Sequence, residues 1–208
     1  MRMVSQKSIG GVRVPQRRRG HERVASLLDA AAACFVEKGY DAATMTEIAA
    51  RAGAAIGSLY QFFPTKEALA QALMGDYADA LQQRLHKLAE RAEAWDSGQL
   101  ATQLIRLLVA FRRRHPAFVV LAETVASLPA LRSLAIRQRL RGELQSLLGR
   151  HAPNLTAAEL HAAAVVVLQL MKAGVALNAE PGLSGRRAAL EQLQQALMLY
   201  LRALTEPR

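Results

Sequence analysis

The stretch TMTEIAARAGAAIGSLYQFFPTKEAL, residues 44–69, decides how this 208-residue chain folds. Thr44-Met45-Thr46-Glu47 has the form of a capping box: the Thr44 side chain accepts from the backbone N–H three residues on, and Glu47 reaches back to the N–H of Thr44. A short helix follows, with Ile48 and Ala49 facing inward, and Gly53 stops it. Only Ala54 and Ala55 separate it from a second short helix, Ile56 to about Phe62. Pro64 ends that one, and Thr65 caps a long helix through Leu69, Leu73, Tyr77, Leu81, Leu85 and Leu88. Short helix, tight glycine turn, short helix is the helix-turn-helix plan.

Upstream, Val24, Leu27, Leu28, Ala31 and Phe35 recur at helical spacing from a start near His21 or Glu22, and Gly39 is a natural stop. Residues 1–20 have no amphipathic period and read as a basic, flexible arm. Downstream, helical patterns resume at Leu100 to Phe111, break at Pro116, and continue from Phe118 to Leu128 and from Leu131 to Leu148. Thr156-Ala157-Ala158-Glu159 is a second capping box, opening a helix from about 157 to 178, and a last helix covers about 185 to 204. The expected fold is all-α with about nine helices: a three-helix head over residues 21–66, its motif at about 44–63, and a larger helical body over 67–208. Composition agrees, since 51% of residues are hydrophobic and only 5% aromatic, a balance rich in Ala and Leu that favours helix over sheet.

The formal net charge is +10, which suits a polyanionic partner such as nucleic acid or an anionic membrane surface. Residues 1–23 hold seven basic side chains against Glu22 alone, a net of +6, leaving +4 for the other 185. Arg17, Arg18 and Arg19 therefore either reach into a minor groove or form a solvated tail with sequence-blind attraction. The single cysteine, Cys34, excludes an internal disulfide and reads as core packing; no Cys/His spacing offers a zinc site, and no cofactor is implied. The N-terminus has no apolar stretch of signal-peptide length. The longest apolar run, Ala162 to Leu168, is cut by Gln169 and Lys172, so no membrane partner is expected and a reducing cytoplasm is the simplest home.

In a helix-turn-helix the second short helix enters the major groove and the first bridges to the DNA backbone. Here Gly53, Ala54, Ala55, Gly57 and Ser58 keep the leading edge free of bulk, so backbone amides can approach phosphates. Arg51, Tyr60, Gln61 and Lys66 supply polar groups around that edge.

Residues 44–69 resemble the TetR family of bacterial regulators nearly position for position. The resemblance implies that Thr44 and Tyr60 touch phosphates, that Ile56, Gly57, Ser58 and Gln61 lie on or near bases, and that Lys66 clamps the DNA backbone. Glu47, Ile48, Ala49 and Leu59 would be structural. Two positions depart from the family's habit: Ala55 stands where Ser or Thr is common, and Phe62 where His or Tyr is. Both departures remove possible phosphate contacts.

For the body the resemblance extends to architecture only, and implies a four-helix bundle made by the last two helices of each subunit in a homodimer. The apolar positions Leu160, Ala164, Val167, Leu168, Leu190, Leu193, Leu197 and Leu201 are the expected interface. Met74, Tyr77, Trp95, Phe111, Phe118 and Met171 are candidates to line a small-molecule effector pocket, each also readable as ordinary core.

These readings make the chain a sequence-specific regulator of transcription: a dimeric repressor released from a palindromic operator on double-stranded DNA by a ligand. A non-enzymatic alternative is an architectural or activating DNA-binding protein dominated by its basic arm. A helical enzyme is the third reading. Gly182-Leu183-Ser184-Gly185 lacks the spacing of a nucleophile elbow, and neither a phosphate-cradling Gly-Lys-Ser loop nor a His-Glu-x-x-His helix is present.

Overall fold

The structure is a computed structural model that describes residues 18–124 and 134–206, and among these it is helical throughout, with no strand. Among the described residues nine helices follow one another: α1 (Arg18–Ala42), α2 (Met45–Arg51), α3 (Ile56–Phe62), α4 (Lys66–Ala89), α5 (Ser97–Arg114), α6 (Pro116–Thr124), α7 (Leu134–His151), α8 (Ala157–Ala179) and α9 (Arg186–Thr205). A 3₁₀ turn, Ala92–Ala94, precedes α5. The expected all-α class is what forms.

Local signals explain the boundaries. The Thr44 box closes, with the Glu47 N–H donating to Thr44 Oγ1 at 3.3 Å and the Thr44 N–H donating to Glu47 Oε2 at 3.2 Å. The Thr156–Glu159 box closes in the same way. A third box, Asp96 with Gln99, opens α5 at Ser97, three residues before the apolar pattern that resumes at Leu100. Gly39, at φ +78°, interrupts α1 as a stop in that position requires. Gly53, at φ +61°, makes the tight turn between α2 and α3.

The start of α1 corrects the sequence reading. Arg18, Arg19 and Gly20 were assigned to the arm, yet the helix begins at Arg18; arginine is a good helix former and one glycine in a first turn costs about 1 kcal/mol. Arg17 lies outside the described residues. A minor-groove arm needs extended chain, so Arg18 and Arg19 no longer fit one.

The chain divides into two compact units, Met1–Tyr77 with Pro116–Arg132, and Ala78–His115 with Ser133–Arg208. The contact boundary therefore differs from the sequence boundary after residue 66. In the first unit Leu27, Ala31 and Phe35 of α1, Ile48 of α2, Leu59 of α3 and Leu69 of α4 are buried. The unit also includes α6, which packs on α1 and buries Ala117 and Leu121. The rings of Tyr77 and Phe118 meet edge to face at 6.0 Å.

The second unit is a bundle in which α5 packs on α8 and α9, α8 packs on α9, and α7 packs on α8. Leu100, Leu104, Leu144, Leu147, Ala164, Val167, Leu197 and Leu201 form its core. A Cβ on Gly174 would come within 3.2 Å of Leu193, so this glycine permits α8 and α9 to approach closely. The segment Ala157–Asn178 is, by length and composition, long and apolar enough to cross a membrane, with a mean hydropathy of 1.8 over its most apolar 18 residues. Gln169 and Lys172 thus do not cut the run as expected, because the alanines, valines and leucines around them keep the average high with both included. In this fold the helix is a bundle element, with Ala163, Ala164, Val167, Leu168 and Met171 buried.

His151 closes α7, with its Nε2 3.1 Å from Ser97 Oγ. Burial holds its pKa below the ordinary histidine value, outweighing nearby carbonyls and Asp96, which act the other way. The unfolded chain therefore takes up the proton first. Stability is flat above about pH 6.5 and declines as the pH falls below it. The urea midpoint should fall between pH 7.5 and pH 5.5, and in His151→Gln the fall should be smaller; an equal fall in both proteins refutes the assignment.

Candidate nucleic-acid interface

The recognition surface is built from α3. Its buried anchor is Leu59, and this fixes which side faces out: Ile56 is 40% and Tyr60 49% exposed, Ala55, Gly57 and Gln61 are exposed, and Ser58 is half-buried. A Cβ added to Gly57 would meet nothing within 4 Å, so the helix surface there is open. Ala55 occupies the N-cap with no side-chain hydrogen bond to the first turn, as its lack of a hydroxyl dictates. Thr44, at the start of α2, is also exposed. Its oxygen accepts within the capping box, which leaves the hydroxyl proton to donate outward.

Two expected contacts have other work. Lys66 Nζ donates to the carbonyls of Tyr40 at 2.8 Å, Asp41 at 2.9 Å and Ala43 at 2.9 Å, and lies 4.6 Å from the centre of the Tyr40 ring. An ammonium has three N–H donors, and all three are spent inside the protein. Lys66 is therefore a clip between α4 and the α1–α2 connection, not a phosphate clamp. Arg51 is likewise engaged, in a bidentate pair with Glu37 on α1. The hydrogen bond from Arg51 first, then its charge and that of Lys38, lower the Glu37 pKa against a smaller effect of burial.

One participant escaped the sequence reading. Arg23 Nη1 on α1 donates to Ser58 Oγ on α3 at 3.3 Å. The two residues lie 35 apart, and no periodicity links them. Glu47 also serves twice, as box partner and as acceptor for Lys38 Nζ at 2.6 Å.

The candidate pocket residues fall in both compact units. Tyr77 and Phe118 pack against each other in the first unit, and Met74 belongs to that unit as well. In the second unit Phe111 is 1% exposed and packs on His115 at 4.5 Å and beneath Arg84 at 5.3 Å. Met171 borders a narrow crevice beside Gly174. Trp95 faces a groove of about 540 Å³ between α5 and α9 whose other walls include Thr102, Arg106, Gln194 and Met198. Aromatic and Met side chains were chosen by type, and most of them fill core.

The interface residues also need revision. Ala164, Val167, Leu197 and Leu201 are fully buried and Leu168 is 6% exposed, all within one chain, while Leu160, Leu190 and Leu193 are half-buried. The apolar side chains left outward are Val166, 39% exposed, and Leu199, 52% exposed. Because α8 is apolar all round, periodicity did not say which side faces inward.

A buried-anchor α3 standing behind a capped α2 defines a helix-turn-helix protein of the DNA-binding regulator class. Residues 27–73 match the family model described as bacterial regulatory proteins of the tetR family, and residues 98–201 match that of the tetracyclin repressor-like C-terminal domain. The chain belongs to the TetR family. Curated relatives match over part of the chain: the A-factor receptor protein of Streptomyces griseus is 42% identical over 57 residues, 27% of this chain and 21% of that protein. The transcriptional activator FasR of Mycolicibacterium smegmatis is 44% identical over 72 residues, 35% and 33% of the two chains. The chain thus spans a third or less of these relatives' length. A TetR-family regulator from Pectobacterium atrosepticum shares the fold with a TM-score of 0.73 at 23% identity, covering 93% of this chain and 100% of that one. SmeT, the repressor of the Stenotrophomonas maltophilia multidrug efflux pump SmeDEF, does so at 0.64 and 20%, covering 85% and 88%.

Two substitutions separate reading from scaffolding. Lys66→Met should destabilise the protein by about 1–3 kcal/mol, the cost of orphaned carbonyls, seen as a lower urea midpoint. It should leave the salt dependence of DNA binding unchanged, where loss of a phosphate contact would reduce the slope by about one. Tyr60→Phe should leave stability intact and weaken operator binding by about 1.5 kcal/mol, roughly tenfold, in a titration at fixed salt.

Proposed function

We propose that this regulator is a homodimeric, cytoplasmic repressor that reads a palindromic operator with α3 and is released by a small molecule bound in the body. The observation that carries the DNA-reading part is the outward face of α3, where Ile56, Gly57, Ser58, Tyr60 and Gln61 share one surface behind the buried Leu59. Thr44 and Tyr60 would donate to phosphates on either side, and Arg23 would hold Ser58 toward the bases. The dimer follows from the exposed Val166 and Leu199 on α8 and α9, which a second copy would cover. Two-fold symmetry of the protein then sets two half-sites.

Activation is a second reading of the sign of control, because a relative 44% identical over 72 residues is by name an activator. That identity covers 35% of this chain, so it favours neither sign. An arm-dominated architectural role is weaker, since Arg18 and Arg19 belong to α1.

The deciding experiment titrates the protein against DNA upstream of its own gene and against random duplex at one stated salt concentration. A preference on the order of 4–10 kcal/mol for a palindromic footprint is expected; equal, steeply salt-dependent binding to both would sink the specific-reader assignment. Val166→Glu with Leu199→Glu should shift the sedimentation mass to that of a monomer. The same change should lower operator affinity at least tenfold while single-helix content stays constant. An unchanged dimer would place the interface elsewhere.

A further inference from the structure

Arg137 and Arg141 stand one turn apart on α7, the distance at which two side chains share a helix face. The helix packs along α8, which carries Lys172. Burial first, and then the charges of Arg137 and Arg141, hold the Lys172 ammonium below the ordinary lysine range. Three cations are thus gathered on two packed helices. Three other arginines of this unit do pair with acids: Arg139 with Asp79, Arg150 with Glu93 and Arg187 with Glu191. Among the described residues none of Arg137, Arg141 and Lys172 has a carboxylate partner. The Arg141 Nε is also buried without a hydrogen-bond acceptor.

Like charges held together raise the free energy of the empty site, and a buried guanidinium donor without an acceptor adds to it. An oxyanion relieves both at once, since its oxygens accept from a guanidinium fork in two places while its charge offsets the repulsion. We propose that Arg137, Arg141 and Lys172 form an anion site on the α7–α8 face that takes the phosphate group of a small organic molecule. Three cations fit a group carrying more than one negative charge. The buried Arg141 donor fits a compact ligand group rather than the wide surface of a duplex. The inference rests on reading the body as ligand-binding and adds the charge of the ligand; binding is measured without DNA, so it stands or falls apart from operator release.

The probe is inorganic pyrophosphate, titrated calorimetrically into the full chain at constant ionic strength. Arg137→Gln with Arg141→Gln should weaken binding at least tenfold. The charge-matched control Arg150→Gln with Arg202→Gln, two exposed arginines paired with Glu93 and Glu206, should change it less than twofold. Lys172→Met supplies an independent readout, because removing one of three repelling charges should raise the melting temperature in anion-poor buffer and abolish the rise that pyrophosphate gives the unaltered protein. Equal pyrophosphate affinity in the two double variants overturns the proposal. So does a lower melting temperature of Lys172→Met in anion-poor buffer, which would mean that the lysine is held by a stabilising partner.

Discussion

The head depends on one ammonium group. Lys66 opens α4, and its Nζ gathers three carbonyls from the stretch between Tyr40 and Ala43. These carbonyls belong to the connection that follows the break at Gly39, where the regular pattern of helical bonding is interrupted. A lysine is suited to the position because its three donors diverge from a single atom. With α4 tied to the end of α1, the two short helices between them have their entrance and exit fixed. Only then does burial of Ile48 and Leu59 determine which residues of α3 face outward.

Charge pairing along α1 reinforces this arrangement from the other side. Lys38 meets Glu47 and Arg51 meets Glu37, so both ends of α2 are joined to α1. Such exposed pairs contribute little stability each. Their value is orientation, since they hold a seven-residue helix too short to persist alone. Arg51 also reaches the buried Cys34 sulfur at 3.8 Å, which makes the cysteine part of the same packing surface.

Much of this was legible in the sequence because the head is locally specified. Capping boxes at Thr44 and Thr156, glycines at 39 and 53 and a proline at 64 act within a few residues of themselves, and the helices they delimit formed at the expected places. What failed was information that lives between distant elements. The partner of Lys66 lies 26 residues away, and a basic side chain beside a DNA-reading motif invites assignment to phosphate. The face of α8 could not be read because valine, leucine and alanine surround it, and the exposed Val166 adjoins the buried Val167. Pocket residues chosen for being aromatic failed for a related reason: ring size says that a side chain wants company, and Phe111 found it in His115 and Arg84.

The apolar character of α8 has a consequence for the order in which the chain is made. A helix of this hydropathy, released into water alone, is a hazard for aggregation or for capture by membranes. Two of its packing partners, α5 and α7, precede it in the chain and α9 follows directly. A growing polypeptide thus has two sides of the shelter in place before α8 emerges, and waits for only 26 further residues, counted from the end of α8 to the end of α9, to close the third. Placing this long apolar helix late in the sequence is thereby a safeguard during synthesis, independent of what the finished bundle binds.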